Sequence, residues 1–275
     1  LDLSIDTFSL QNLSNLSSHD QIDDLILSVI EQNLTNKTRL VVVSHLLWNT
    51  GQIVPIKLIS EKLADHPNSP YLLVDGAQSF SQIPLDESAS SADIFAFTGH
   101  KWACGPEGLG GVALSERVLA ESNPTLIGWK SLKNENSIFQ KDSDVFHRDS
   151  RRFEIATSCI PLMAGLRTSL EHLEKEGSVG QRLEKTKNLS LLFWEKILTL
   201  DNLESILNTP PPAGLVSFTI NKKVDYSDIV KRLGDRNIFL RCLCHPKSLR
   251  ACFHVPTLAG EIDILIDALK YILEE

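Results

Sequence analysis

The chain opens on an alternation. Leu1, Leu3 and Ile5 stand against Asp2, Ser4 and Asp6, the period of a half-buried strand over residues 1–10. The period then lengthens: Ile22, Leu25, Ile26, Val29 and Ile30 share one face of a helix from 18 to about 32, with Ser17, Ser18 or Asp20 as its N-cap. Residues 39–44 form a continuous apolar run, which predicts a strand buried on both faces. A helix begins after Pro55 and runs to 65, and 71–75, 94–98 and 111–114 read as three further strands. Strands separated by helix-length segments predict an α/β fold with a mainly parallel sheet flanked by helices on both faces.

The second half changes character. Residues 115–155 are irregular and polar, an excursion expected at a surface or interface, and a long helix over 160–176 ends at Gly177. Another helix covers 178–200. After Pro210-Pro211-Pro212, short strands at 214–220, 238–242 and 249–254 alternate with helices near 226–234 and 260–274. This pattern predicts a smaller C-terminal α/β domain with a mostly antiparallel sheet, so we expect a large domain at 1–176 and a small one at 177–275.

Composition narrows the partners more than the fold. The net charge of −8, with both signs interspersed, argues against nucleic acid or an anionic membrane as the main partner. No apolar run approaches the roughly 18–20 residues that span a bilayer, so no transmembrane helix is predicted. The five cysteines at 104, 159, 242, 244 and 252 are odd in number and scattered, which fits a reducing, cytoplasmic setting better than a disulfide framework. Cys242 and Cys244 have no second cysteine pair, so no metal site is expected. The start at Leu1-Asp2-Leu3-Ser4 matches neither an initiator methionine nor a signal sequence, and the chain is expected to begin within a longer protein.

Two of the strands end in chemistry. Residues 71–75 run into Asp75-Gly76-Ala77-Gln78, and 94–98 into Thr98-Gly99-His100-Lys101. Ligands of an open parallel sheet bind outside the carboxyl ends of its strands, so both segments face one crevice. An electron-sink pyridine cofactor has matching needs there. Its aldehyde needs an amine, which Lys101 offers. Its ring nitrogen needs a buried carboxylate beside it to stay protonated, which Asp75 offers. Its phosphate needs donors, and Thr98 and His100 flank Gly99 within reach of one anion. Taken singly, a strand-terminal Asp-Gly is a common turn and a lone histidine is usually structural. The combination, followed by Gly105-Pro-Glu-Gly-Leu-Gly-Gly111, is far more specific than its parts.

Val74–Gln78, Asp93–Lys101 and Gly105–Gly111 together resemble the class V aminotransferase and cysteine desulfurase family of fold-type I pyridoxal 5′-phosphate (PLP) enzymes, from about residue 36 to the C-terminus. The resemblance implies Lys101 as the Schiff-base lysine, Asp75 at the pyridine nitrogen, Gln78 at the phenolate oxygen or aldimine, and Thr98 and His100 at the phosphate. Arg152-Phe-Glu154 followed by Thr157 is similar to a motif whose threonine reaches the phosphate of a neighbouring subunit, which implies a homodimer. Within the family, 44–51, 128–131, 238–241 and 249–254 are most similar to the cyanobacterial branch of cysteine/cystine C–S lyases. By that likeness Arg241 and Arg250 receive substrate carboxylates, Trp129 lines the substrate pocket and Asn49 touches the cofactor. Two guanidiniums suit a small amino-acid substrate with two carboxylates, each gripped by a planar fork.

Two departures bear on the reaction. Desulfurases of the family carry a nucleophilic cysteine, which in relatives with an Arg-Thr-Gly-His-His-Cys motif lies five residues after the arginine matching Arg241; here that position is Pro246. Cys242 and Cys244 lie nearby, out of register, both on one side of their strand, and Cys252 is expected in the core. The resemblance also implies a preceding segment with a phosphate loop and a ring-stacking aromatic, which this sequence does not include. The leading expectation is a C–S lyase acting on cysteine or cystine. A cysteine desulfurase serving a sulfur acceptor protein, a class V aminotransferase, and an inactive fragment or scaffold relative are the alternatives.

Overall fold

A computed structural model describes residues 3–10, 16–134 and 145–274. The elements run α1 (His19–Asn33), β1 (Leu40–Ser44), α2 (Ile56–Ala64), β2 (Tyr71–Asp75), α3 (Asp86–Ser91), β3 (Ile94–Thr98), β4 (Gly110–Leu114), α4 (Glu116–Glu121), α5 (Ile160–Lys175), α6 (Val179–Leu198), β5 (Leu203–Ser205), β6 (Leu215–Ile220), α7 (Tyr226–Gly234), β7 (Arg241–Cys244), β8 (Lys247–Cys252) and α8 (Ala259–Glu274). They build two sheets, β1-β2-β3-β4 and β5-β6-β8-β7. In the first, β1, β2 and β3 are parallel and β4 closes the edge antiparallel to β3; the second is antiparallel throughout. The fold is α/β, as the pattern predicts.

Caps place several boundaries. Ser18 is the residue that caps α1, its hydroxyl accepting from the Gln21 amide. A reciprocal pair opens α6: Ser178 Oγ accepts from Gln181 N at 3.3 Å while Gln181 Oε1 accepts from Ser178 N at 2.9 Å. Between α5 and α6 the backbone turns through Gly177 at φ +110°, a conformation that costs glycine little.

Four expectations need correction. Residues 3–10 carry no regular element: Leu3 and Ile5 are exposed and pair with no sheet edge, and alternation without a partner strand does not make a strand. Of the run at 39–44, Val41 and Val43 are buried against Ile22, Ile26, Ile56 and Ile59, whereas Leu40 is 48% and Val42 57% exposed. β1 is therefore covered on one face only, because α1 and α2 pack on the same side. The strand expected at 238–242 is displaced to Arg241–Cys244, since Asn237 takes a left-handed φ of 60° and the Ile238 amide still bonds back to Leu233 O at 3.0 Å. The polar stretch 115–155 contains α4 and two 3-10 turns, Trp129–Ser131 and Ser150–Phe153; its residues 135–144 lie outside those described.

Each sheet has its own buried cluster. The second is packed by α6, α7 and α8 through Phe193, Ile197, Phe218, Leu233, Leu249 and Leu269, all fully buried. A smaller cluster of Leu46, Ile83, Trp102, Ala213 and Leu215 joins the two regions, and it lies next to the segments the sequence marks as chemical.

Candidate active site

Parallel pairing puts the carboxyl ends of β1, β2 and β3 at one edge. Ser44 is level with Asp75, and Asp75 with Ala96, two residues before Thr98. Two further backbone bonds extend the ladder past the strand ends, His45 N to Asp75 O at 3.0 Å and Gly76 N to Ala96 O at 2.7 Å. Gly76 has no room for a Cβ, which would strike the Phe95 ring, so this turn is built on close approach of backbone to sheet.

The lysine sits on a loop pinned at its base. Gly105 N donates to Gly99 O at 2.8 Å and Cys104 N to Lys101 O at 3.0 Å, so 99–105 closes on itself and displays Lys101 outward. Gly99 and Gly105 lie against Leu166 of α5, where a Cβ on Gly105 would come within 2.6 Å of that side chain. Thr98 Oγ1 and His100 Nδ1 are hydrogen-bonded, which places a hydroxyl and an imidazole side by side. Asp75 accepts the Ala77 amide at 2.9 Å. Asp75 and Lys101 are exposed and neither forms an ion pair among the described residues, so the burial expected of that carboxylate and that amine is not present. The same open side of the sheet that exposes Val42 accounts for it.

Gln78 is held at both ends. Its Oε1 accepts the Trp102 indole N–H at 2.9 Å, and its backbone O accepts from Gln82 Nε2 at 2.7 Å. Gln82 in turn accepts the Gly214 amide at 2.8 Å, which ties the turn to the second sheet. His45 is buried behind the turn with its ring edge-on to Phe95, and burial pushes its pKa down to about 4.

The arginines arrive from the second sheet. Arg241 and Arg250 are direct cross-strand partners on β7 and β8. Arg241 is exposed, whereas Arg250 is only 9% exposed. Its Nη1 donates to Trp48 O at 2.6 Å, its guanidinium lies 5.8 Å from the Trp48 ring, and its Nε has no hydrogen-bond partner among the described residues. Asn49 Nδ2 donates to His245 O at 2.9 Å. These two bonds fasten the loop after β1 to the β7–β8 hairpin. Beside them a groove of about 490 Å³ is lined by Thr7–Leu10, Ser44, Trp48 and Asn49.

Trp129 and Thr157 are both exposed, and no hydrogen bond or ring contact among the described residues joins them to Lys101 or Arg250. Their segments are stitched to each other instead: Ser131 Oγ donates to Glu154 O at 2.6 Å, and a Cβ on Gly128 would overlap Ile155 O. Cys252 is a correction, since it is exposed and outside the core. On β8 it shares the Arg250 face, while Leu249, Ala251 and Phe253 point into the α6–α8 cluster. Cys242 and Cys244 flank buried Leu243 and so share a face, as expected.

The structure adds Trp48, Trp102 and His45 to the residues singled out from sequence. Trp48 and His45 lie in the quoted segment 44–51 and Trp102 follows Lys101, but adjacency in sequence carries no sign of which atoms meet.

Nearly the whole chain is similar to known proteins. The lysine-to-alanine variant of C-DES with glycine covalently linked to its PLP cofactor superposes with a TM-score of 0.84 at 35% identity, covering 94% of this chain and 65% of that one. The complex of the cystine C–S lyase C-DES with its reaction product cysteine persulfide gives 0.83 at 35% identity over 95% and 66%. The cysteine desulfurase of Haloferax volcanii is 27% identical over 250 residues, which is 86% of this chain and 56% of that protein. The chain thus spans about half the length of such curated relatives. The class-V aminotransferase domain matches residues 12–263, and with nearly the whole chain inside that match, the protein belongs to the class-V aminotransferase family.

Proposed function

We propose that the protein uses PLP held by Lys101 to cleave the C–S bond of cysteine or cystine by β-elimination, giving pyruvate, ammonia and a sulfide or persulfide. The observation that carries this reading is the gathering of an amine, a carboxylate, a carboxamide and a hydroxyl–imidazole pair at the carboxyl ends of β2 and β3, together with a buried arginine whose Nε has no hydrogen-bond partner among the described residues. That donor set fits the group: each polar part of PLP meets a side chain of the matching charge or donor type. The likeness to C-DES in complex with cysteine persulfide supports cystine as one substrate.

Bound PLP supplies an electron sink for charge developing at the substrate's α-carbon. Lys101 Nζ would anchor the cofactor and, as general base, would take the proton from the substrate's α-carbon. Asp75 would keep the ring nitrogen protonated, Gln78 and Asn49 would serve the phenolate oxygen, and Thr98 and His100 would hold the phosphate. Arg250 grips the α-carboxylate and Arg241 the distal carboxylate of a cystine-like substrate, with Trp129 as a pocket wall. Thr157 completes the phosphate site of the other subunit in a homodimer. Residues 1–176 form the cofactor-binding domain and 177–275 the smaller one, and the enzyme works in the cytoplasm.

The second reading is cysteine desulfuration, with Cys242 or Cys244 passing persulfide sulfur to an acceptor protein; the exposure of Cys244 favours it. Pro246 favours the lyase, since proline offers no nucleophile at the position where related desulfurases carry one. A product assay on Cys242→Ser/Cys244→Ser protein beside the parent decides between them. Pyruvate and ammonia formed together, with most activity kept, is expected. Alanine as the main product, with activity lost in the double variant, overturns the lyase.

A further inference from the structure

Gln78, Gln82, Gly214 and Trp102 form a closed ring of contacts. Gln82 Nε2 donates to Gln78 O, Gly214 N donates to Gln82 Oε1, the Trp102 indole lies on Gly214, and Trp102 Nε1 donates to Gln78 Oε1. A Cβ on Gly214 would come within 2.9 Å of Trp102 Cη2, so the indole occupies space that only glycine leaves open. Trp102 is also stacked with His254, ring centroids 5.1 Å apart and planes 14° from parallel. His254 Nε2 lies 3.1 Å from Trp102 O, and since a carbonyl only accepts, that nitrogen carries the proton. The indole is only 6% exposed and is fixed by its ring contacts and at its backbone.

This fixation decides which end of the Gln78 amide is on offer. An indole N–H donates and never accepts, so the atom 2.9 Å from it is the amide oxygen. No described residue accepts from Gln78 Nε2. The side chain therefore presents an NH₂ group and withholds its carbonyl.

We infer that Trp102 is a positioning residue that locks the Gln78 carboxamide with its NH₂ toward the Lys101 crevice, making Gln78 a selector for an anionic oxygen. The inference rests on the PLP reading, in which that oxygen is the phenolate. It also explains the residue that follows the lysine. Lys101 and the Gln78 amide are registered to each other through one side chain, and through Gly214 and His254 to the strands that carry Arg250. A donor held on the phenolate stabilises its charge most when the linkage at Lys101 is unprotonated, so it lowers the pH midpoint of the cofactor's visible band. A free amide loses that bias, because it turns either end to the site.

The test compares parent, Trp102→Phe, Gln78→Leu and the double variant, each reconstituted with PLP and titrated from pH 5 to 10 by visible absorption. Both single variants are expected to raise the midpoint by about one pH unit, the size of one hydrogen bond to a charged group. The double variant is expected to match Gln78→Leu alone, because Trp102 acts through Gln78. Midpoints that add in the double variant, or a Trp102→Phe midpoint equal to the parent's, overturn the inference. If Trp102→Phe does not fold, ¹⁵N-tryptophan spectra of parent and Gln78→Leu replace it: the indole N–H resonance of Trp102 must move, and an unchanged resonance overturns the inference. A parent with no Lys101-dependent visible band defeats the functional reading itself, whereas a normal band that Trp102→Phe leaves in place defeats only the role given to Trp102.

Discussion

The two sheets divide the protein's physics between them. The second is closed: β6 and β8 bury Leu215, Val216, Phe218, Leu249 and Ala251, and α6 and α8 seal the layer. The first is half-closed. Val41, Val43, Leu72 and Val74 meet α1 and α2, while Leu40 and Val42 on the same β1 strand face outward with nothing over them among the described residues. Yet the half-closed sheet carries Asp75, Thr98 and the loop with Lys101, while the closed one contributes Arg241 and Arg250. The contrast teaches that stability and reactivity are sited separately here, with Trp102, His254 and the Trp48–Arg250 bond as the joints between them.

The sharpest test of that division is Lys101→Ala. Lys101 is exposed and its side chain bonds to nothing that holds the fold among the described residues, so removing it is expected to leave the melting temperature of the cofactor-free protein unchanged. Turnover of cystine is expected to fall by about a thousandfold or more, with loss of the visible cofactor band, since both anchor and general base go. A variant that keeps a borohydride-reducible cofactor linkage and normal turnover removes Lys101 from the assignment.

Phe218→Ala is the converse. Phe218 is fully buried and packs edge-on to Phe193 at 5.5 Å between centroids. Its truncation is expected to cost about 3–5 kcal/mol, read as a shift of the denaturant midpoint. A loss below about 1 kcal/mol would show that the second sheet is not the closed core described above.

His45 offers a pH handle that belongs to the first sheet alone. Its pKa is depressed by burial from 6.5 to about 4, so the unfolded chain binds the proton more readily than the folded one. Stability is therefore full above pH 6.5 and falls as pH drops toward 4. Between pH 7 and pH 5 the loss from this group is expected to be about 2 kcal/mol. His45→Gln is expected to flatten that slope in urea titrations at the two pH values, and an unchanged slope would assign the pH response elsewhere.

How much of this was legible in the sequence follows the same division. The strands carrying the motifs were readable to within a residue, because β2 and β3 are apolar runs that stop at Asp75 and Thr98. The short α3, DESASS, and the three-residue β5 were not, since neither is long enough to show a period. The two arginines were singled out by family resemblance, but the burial of Arg250 depends on Trp48, 202 positions away. The grip of Trp102 on Gln78 across 24 residues leaves no trace in periodicity either. Sequence reported the residue types of the candidate site and the edge they share, whereas which atoms are engaged and which stay free is set by contacts between distant segments.

The mildest perturbation probes the open face itself. Val42 and Val41 are neighbours of one residue type on one strand, 57% and 8% exposed. Threonine keeps the branched shape of valine and its preference for strands, so the substitution changes little except a methyl for a hydroxyl. At position 41 that hydroxyl enters the cluster of Ile22, Ile26 and Ile59, where it finds no room for water, and a cost of about 1–3 kcal/mol is expected. At position 42 it meets solvent, and a change within about 0.5 kcal/mol is expected. Paired urea titrations of Val41→Thr and Val42→Thr measure the asymmetry of β1 directly. If Val42→Thr costs as much as Val41→Thr, the outer face of β1 is covered in solution, and the contrast between a closed and a half-closed sheet disappears.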